Sequence, residues 1–209
     1  MSLADASDAG VGLKRCPWPG ATPDYVTYHD TEWGVPVSGD LAYYERLTFE
    51  SFQSGLSWLI VMRKRPNFRE AFAGFDPELV AKFGEADVQR LLADTGIIRN
   101  RLKIEATITN AKALRQLRAA EGTGALERLM LEHQPSEADL RREGFRRPPR
   151  GIGDLPTASK ASGALAKALK KRGFVFVGPT TLYAGMQANG LVDDHLSGCF
   201  RRGLCVKSE

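Results

Sequence analysis

No apolar run in this sequence approaches the roughly 18 residues that a membrane-crossing helix needs, and the first residues lack the apolar segment of a secretory signal. The expected location is therefore the cytoplasm. Cysteine is scarce, with three residues at Cys16, Cys199 and Cys205. An odd, small set argues against a disulfide scaffold and leaves metal binding or plain thiols. Sustained apolar–polar alternation is also missing. Val175-Phe176-Val177 is too short to be more than a turn, so the expected class is all-α. Neither an internal repeat nor a low-complexity tract is present, which removes solenoids and wholesale disorder. The net charge is only +4, so the chain as a whole is no polycation.

With 209 residues, 43% hydrophobic and 26% charged, the chain can bury a substantial core. Residues 1–14 and 206–209 read as tails. Residues 15–205 read as a single domain with two helical lobes. Cys16 to Pro36 holds Pro17, Pro19, Gly20, Pro23 and Gly34, so it cannot be one long helix. An irregular segment packed by Trp18, Tyr25, Tyr28 and Trp33 is expected there. From Asp40 onward the pattern is helical. Asp40 is the expected N-cap of a helix from Leu41 to about Ser54, and Asp76-Pro77 opens another. Further helices are expected over Glu85–Ala93, Arg99–Ala120 and Ala125–Glu132. Pro135 to Pro156 reads as loop. A helix capped by Ser159 or Ser162 should run through Arg172, and a last one from Pro179 to about Asn189.

The stretch Phe49 to Trp58 concentrates chemistry. Tyr43, Leu47 and Glu50 share one helix face, which puts a carboxylate in line with apolar side chains. Gly55 suits a left-handed helix end, and Trp58 follows at once. A carboxylate beside an indole can read the edge and face of a flat heterocycle. Equally, a surface Glu next to an ordinary core Trp would give the same pattern. All three tryptophans lie in the first 58 residues. With Tyr25 and Tyr28 they form either a base sandwich or a small aromatic core, the latter being the expectation for Trp33.

Two other constellations stand out. Residues 141–172 carry ten Lys/Arg against Glu143 and Asp154, so this window is +8 and the remainder −4. Either a polyanion partner or a solvated linker accounts for it. The window runs into Gly173-Phe-Val-Phe-Val-Gly178-Pro179-Thr180-Thr181. Free N–H groups at a helix start attract anions, and Lys171 lies just upstream. This hairpin resembles the DNA-backbone-binding hairpin of helix-hairpin-helix proteins, though the first glycine of that core is not kept. The second constellation is Cys16, His29, His195 and Cys199. His195 and Cys199 share a helix face, and two thiolates with two imidazoles suit a closed tetrahedral structural zinc site. Two buried thiols and two unrelated histidines are the alternative, and Cys205 could stand in for Cys199 as a ligand, though at a worse spacing to His195.

These pieces occur in order as Cys16-x-Trp18, Tyr28-His-Asp-x-Glu-Trp-Gly-Val-Pro36, Glu50-x-x-Gln-x-Gly-Leu-Ser-Trp58, Gly96-Ile-Ile-Arg-x-x-x-Lys-Ile104, Ala168-Leu-Lys-Lys-Arg-Gly-Phe-x-Phe-Val-Gly178 and Gly190-Leu-Val-x-Asp-His195-x-x-Gly-Cys199. The set resembles the bacterial 3-methyladenine DNA glycosylase I family from about Arg15 to Cys199, with a gap at 136–152. The resemblance implies an all-α helix-hairpin-helix glycosylase architecture whose termini are stapled by one structural zinc on Cys16, His29, His195 and Cys199. It implies that Glu50 holds the extruded base, that Trp58 stacks on it, and that Tyr28, Trp18 and Tyr25 wall the pocket. Leu56 would fill the gap in the duplex, while Gly178, Thr180, Thr181 and Lys171 hold the backbone. The partner would be double-stranded alkylated DNA and the protein a monomer.

The implied chemistry is hydrolysis of an N-glycosidic bond. N3-methylation makes the base a cation that leaves as a neutral molecule, so strong protonation of the leaving group is unnecessary. No lysine is assignable to a Schiff base, which implies a monofunctional enzyme without strand cleavage. Val192-Asp193-Asp194-His195 fits a run in which wider relatives use an Asp to assist the sugar cation. Here Asp193 is either such a base, a cap, or a partner of the ligand histidine. Three places depart from the family: Ser51-Phe52 at the expected pocket rim, Gly185 inside the last helix, and an Arg/Pro-rich insertion at 140–150. That insertion reads as phosphate-binding or as a mobile basic loop. A DNA-binding protein without activity and a zinc-stabilised RNA or protein module remain as competing readings.

Overall fold

The computed structural model describes residues 12–204. Residues 1–11 of the tail expected at 1–14, the tail expected at 206–209, and Cys205 lie outside the described residues. Ten α-helices follow one another among the described residues: α1 (Pro23–Thr31), α2 (Asp40–Gln53), α3 (Trp58–Ala71), α4 (Pro77–Val80), α5 (Glu85–Ala93), α6 (Arg101–Glu121), α7 (Ala125–Glu132), α8 (Glu137–Arg142), α9 (Lys160–Lys171) and α10 (Pro179–Ala188). Single 3-10 turns at Ala73–Phe75 and Ile152–Asp154 complete the list, and no strand occurs among these residues. No helix there is long and apolar enough to cross a membrane.

The helix α2 is the centre of the packing. It touches α3, α6, α7 and α10, and its run from Leu47 to Phe52 is buried without a break. Phe49 and Phe52 meet Phe68, Phe72 and Phe75 in one aromatic cluster, with Phe52–Phe68 centroids 4.6 Å apart. A fully buried side chain of this size contributes about 2–3 kcal/mol through removal from water. One stripe of α6, namely Ile104, Ile108, Ala111, Leu114 and Leu117, is buried.

Local sequence explains several helix ends. Asp76 accepts the Glu78 N–H at 2.8 Å. Ser159, not Ser162, is the N-cap of α9, accepting the Ser162 N–H at 3.1 Å. At its other end, Gly173 takes φ +84°. Gly173 N–H then donates to Lys170 O and Phe174 N–H to Leu169 O, both at 3.1 Å, which satisfies two carbonyls that a helix end leaves open.

Several expectations fail for identifiable reasons. Asp40 does not cap its own helix. Its carboxylate reaches across the core and accepts N–H groups from Gly124, Leu126 and Glu127, so it caps α7, with Arg118 as counter-ion at 2.7 Å. Pro23 sits at the first turn of α1, where its missing N–H is no loss, so a helix fits between the prolines of the supposed irregular segment. Likewise, the supposed loop 135–156 holds α8, whose Ser136 and Asp139 form a reciprocal capping box.

Candidate functional site

A cavity of about 230 Å³ opens beside α2. Trp18, Tyr25, Tyr28 and Trp58, the four aromatics expected to hold a base, all line it, and Glu50 does too. Trp18 and Tyr25 meet edge-on at 5.0 Å, and Tyr28 lies 5.3 Å from Trp58. Tyr28 is held by α1 and Trp58 by the first residue of α3, so both rings stand on helices. The indole Nε1 of Trp58 is buried and has no hydrogen-bond partner among the described residues.

Glu50 projects from the last turn of α2 and is only 5% exposed. Burial pushes its carboxyl up to about 8, against a weaker opposing pull from the charge of Arg46 one turn before it. Burial, and then the neighbouring Glu50, raise the Tyr28 hydroxyl above the ordinary phenol range. A carboxyl in such a site is neutral at neutral pH until a cation or donor joins it.

Sequence reasoning missed part of the wall. Trp33, expected to be core alone, also lines the cavity, as do Gln53, Gln187, Ile152 and Leu155. Gln53 was visible in the motif that carries Glu50. The others reach the cavity only through tertiary folding. Ser51 and Phe52 do not shape the rim. Ser51 is buried and donates to Leu47 O at 2.8 Å, while Phe52 belongs to the aromatic cluster.

On the outer side of Glu50 a groove is lined by Gln53, Ser54, Gly55, Leu56, Thr180 and Thr181. Leu56 is 42% exposed there. Gly178 is the N-cap of α10 and Thr180 and Thr181 lie in its first turn, so free N–H groups face the same side. Lys171 is not brought to this groove. It borders a separate depression with Gln116, Glu121 and Arg172. The missing first glycine of the hairpin core is Phe176, which takes φ +56° despite its side chain.

The four expected ligands Cys16, His29, His195 and Cys199 come together with all ligand atoms within 4.8 Å and every residue buried. Cys199 Sγ lies 3.4 Å from His29 Nε2 and 3.5 Å from His195 Nδ1, and Cys16 Sγ lies 3.7 Å from His195 Nδ1. Ordinary thiolate and imidazole bond lengths give a tetrahedral S···N edge of about 3.6 Å. The outer ring nitrogens are also accounted for. His29 Nδ1 is 2.7 Å from Asp30 Oδ1, and His195 Nε2 is 3.3 Å from Trp33 O. These contacts leave the inner nitrogens as lone-pair donors. The set fits a metal ion.

Asp193 does not line the cavity. Its carboxylate accepts N–H groups from His195 at 3.2 Å and Gly203 at 2.7 Å, which favours the capping reading over a base. Asp194 is fully enclosed and accepts from Tyr183 at 3.0 Å and from the cavity residue Gln187 at 2.7 Å. Its remaining oxygen pairs with Arg147. Arg147 comes from the stretch expected to be a basic loop, yet its side chain is wholly buried between Asp194 and Glu137.

A family model described as methyladenine glycosylase matches residues 18–202. The chain is 44% identical over 189 residues to DNA-3-methyladenine glycosylase 1 of Escherichia coli K12, covering 90% of this chain and 96% of that protein. It is 42% identical over 186 residues to DNA-3-methyladenine glycosylase of Haemophilus influenzae, covering 88% and 96%. A crystal structure of 3-methyladenine DNA glycosylase I superposes with a TM-score of 0.81 at 43% identity, covering 90% of this chain and all of the other. The 3-methyladenine DNA glycosylase I of Staphylococcus aureus gives 0.79 at 30% identity, covering 91% and 97%. The all-helical fold, the cavity motifs and these likenesses agree, and the chain belongs to the methyladenine glycosylase family.

Proposed function

We propose that this chain is a DNA base-excision glycosylase that hydrolyses the N-glycosidic bond of 3-methyladenine in alkylated duplex DNA and leaves the strand intact. The observation that carries the reading is Glu50. It is a buried carboxyl at the junction of an aromatic cavity and a groove lined by Leu56, Thr180 and Thr181. A solved neighbour, 30% identical with a TM-score of 0.78, is described in complex with 3-methyladenine.

The residues divide the work. The first turn of α10, with Gly178, Thr180 and Thr181, holds a phosphate in the manner of a helix-hairpin-helix hairpin. Leu56 fills the gap that the extruded nucleotide leaves. Trp58 stacks on the base, and Tyr28, Tyr25 and Trp18 close round it. Glu50 selects for positive charge. While the cavity holds no cation, burial favours its neutral form. A cationic base beside it favours the carboxylate, because attraction at short range in a low-dielectric site outweighs the cost of burial. Neutral adenine offers no such gain. The methylated base then leaves as a neutral molecule, and water completes the displacement at the sugar.

A zinc ion on Cys16, His29, His195 and Cys199 would be structural, tying the segment before α1 to the segment after α10. When bound it supplies a closed cross-link and no reaction step. Chromatography of bases released from methylated duplex DNA, without added nucleotide, tests the reading. Release of 3-methyladenine with an unbroken strand is expected. Folded protein that releases none would overturn it.

A further inference from the structure

The polar residues buried along α6 are not needed for its apolar packing. Lys103, Thr107 and Asn110 are 7%, 2% and 2% exposed, and their spacing puts them on one stripe of the helix. Lys103 Nζ donates to Phe52 O at 2.8 Å and Ser54 O at 2.6 Å. Those carbonyls end α2, immediately before Gly55 and Leu56. Thr107 O accepts the Tyr44 hydroxyl at 2.9 Å, which fixes α6 to the middle of α2. Asn110 grips the hairpin at both backbone atoms of one residue: its Nδ2 donates to Val175 O at 3.0 Å and its Oδ1 accepts Val175 N–H at 2.8 Å.

Burying an ammonium is costly unless its bonds are specific. Lys103 spends that cost on two open carbonyls at a helix C-terminus, where positive charge is also favoured. Lys103 and Asn110 are two helical turns apart, about 10.5 Å along the axis. One rigid rod therefore holds the loop that carries Leu56 and the turn that leads into α10.

We infer that α6 is a brace that sets the register between the duplex-filling loop and the backbone-holding hairpin, with Lys103 and Asn110 as positioning residues for duplex DNA. The inference rests on the duplex-DNA reading above. Neither residue lines the base cavity, so the duplex should feel their loss far more than the base alone. An error of an ångström between two elements that must engage one duplex together is expensive.

The test uses the full chain with Lys103→Met, Asn110→Leu and the double variant. Each is titrated with a duplex carrying a tetrahydrofuran abasic-site analogue, and separately with free 3-methyladenine followed by tryptophan fluorescence. Each single variant is expected to weaken duplex binding by about tenfold or more and to change free-base binding by less than about twofold. The two losses should not multiply, because breaking one anchor already releases the register. Lys103→Gln, which keeps a donor, should recover part of the affinity and serves if the Met variant does not fold. Unchanged duplex affinity, equal losses for base and duplex, or losses that multiply in the double variant would each overturn the brace. Unaltered protein that binds the duplex but neither holds nor releases the base would sink the glycosylase reading alone, and the duplex series would still decide the brace.

Discussion

Gly185 of α10 lies against Glu50 of α2: a Cβ on Gly185 would stand 3.8 Å from Glu50 Cγ. The glycine in the last helix therefore faces the carboxylate side chain and not an apolar neighbour. A methyl group fits at that distance, whereas a branched side chain would push Glu50 out of place. Gly185→Ala should keep base release and raise stability by up to about 1 kcal/mol through helix propensity. Gly185→Leu should fold but lose most activity. Thermal melts and base-release assays on the pair check this. Full activity in the Leu variant would show that Glu50 does not need this space.

Glu50 makes stability depend on pH in a predictable direction. Its carboxyl titrates at about 8 in the folded chain against an ordinary 4.5. Between those values the folded state holds a proton that the unfolded state has released. Its contribution is thus present in full below 4.5 and is lost as pH rises through about 8. Glu50→Gln removes the titration. The variant should gain on the unaltered protein by as much as about 1.4 kcal/mol per pH unit across that window. Base release should fall by roughly 10- to 100-fold, as expected for losing a charged hydrogen bond. Parallel urea titrations at several pH values read the stability. Equal pH slopes for the two proteins would remove Glu50 as the buried titrating group.

Metal analysis should find about one zinc per chain, with Cys16→Ser losing it. The Sγ atom of Cys16 also accepts the Leu196 N–H at 3.3 Å, so Cys16 holds the final loop as well as belonging to the Cys/His set. A loss of about 4 kcal/mol would lower the melting temperature by roughly 8–16 °C in a chain of this size. Retained zinc in Cys16→Ser would exclude Cys16 from the ligand set.

How much was legible in sequence depended on range. Helices α5 and α7 match their expected limits to the residue, because apolar spacing and caps are local signals. The aromatic cavity residues and the Cys/His set were legible through motifs. Asp40 was misread because a local capping rule cannot see that folding delivers the start of α7 to its carboxylate. Gln187 and Leu155 were missed for a similar reason. A glutamine in a helix and a leucine in a Pro/Gly-rich stretch carry no mark of the cavity they reach. Composition misled most at Arg147, where a run of arginines conceals one that is buried.

Arg147 pairs with Asp194, donates to Glu137 at 2.7 Å and 3.0 Å, and donates to Asp193 O at 2.6 Å. Asp194 in turn accepts from Gln187 of the cavity wall. Removing the guanidinium leaves two carboxylates short of their partner, one of them fully enclosed. Arg147→Ala should cost about 3–5 kcal/mol. If Arg147 met phosphate instead, its loss would spare stability and lower the salt dependence of DNA binding by nearly one released ion. A buried structural role predicts the reverse: a large stability loss with the salt slope unchanged. Urea unfolding and duplex binding at several salt concentrations separate the two, and a reduced slope in a stable variant would return Arg147 to the DNA face.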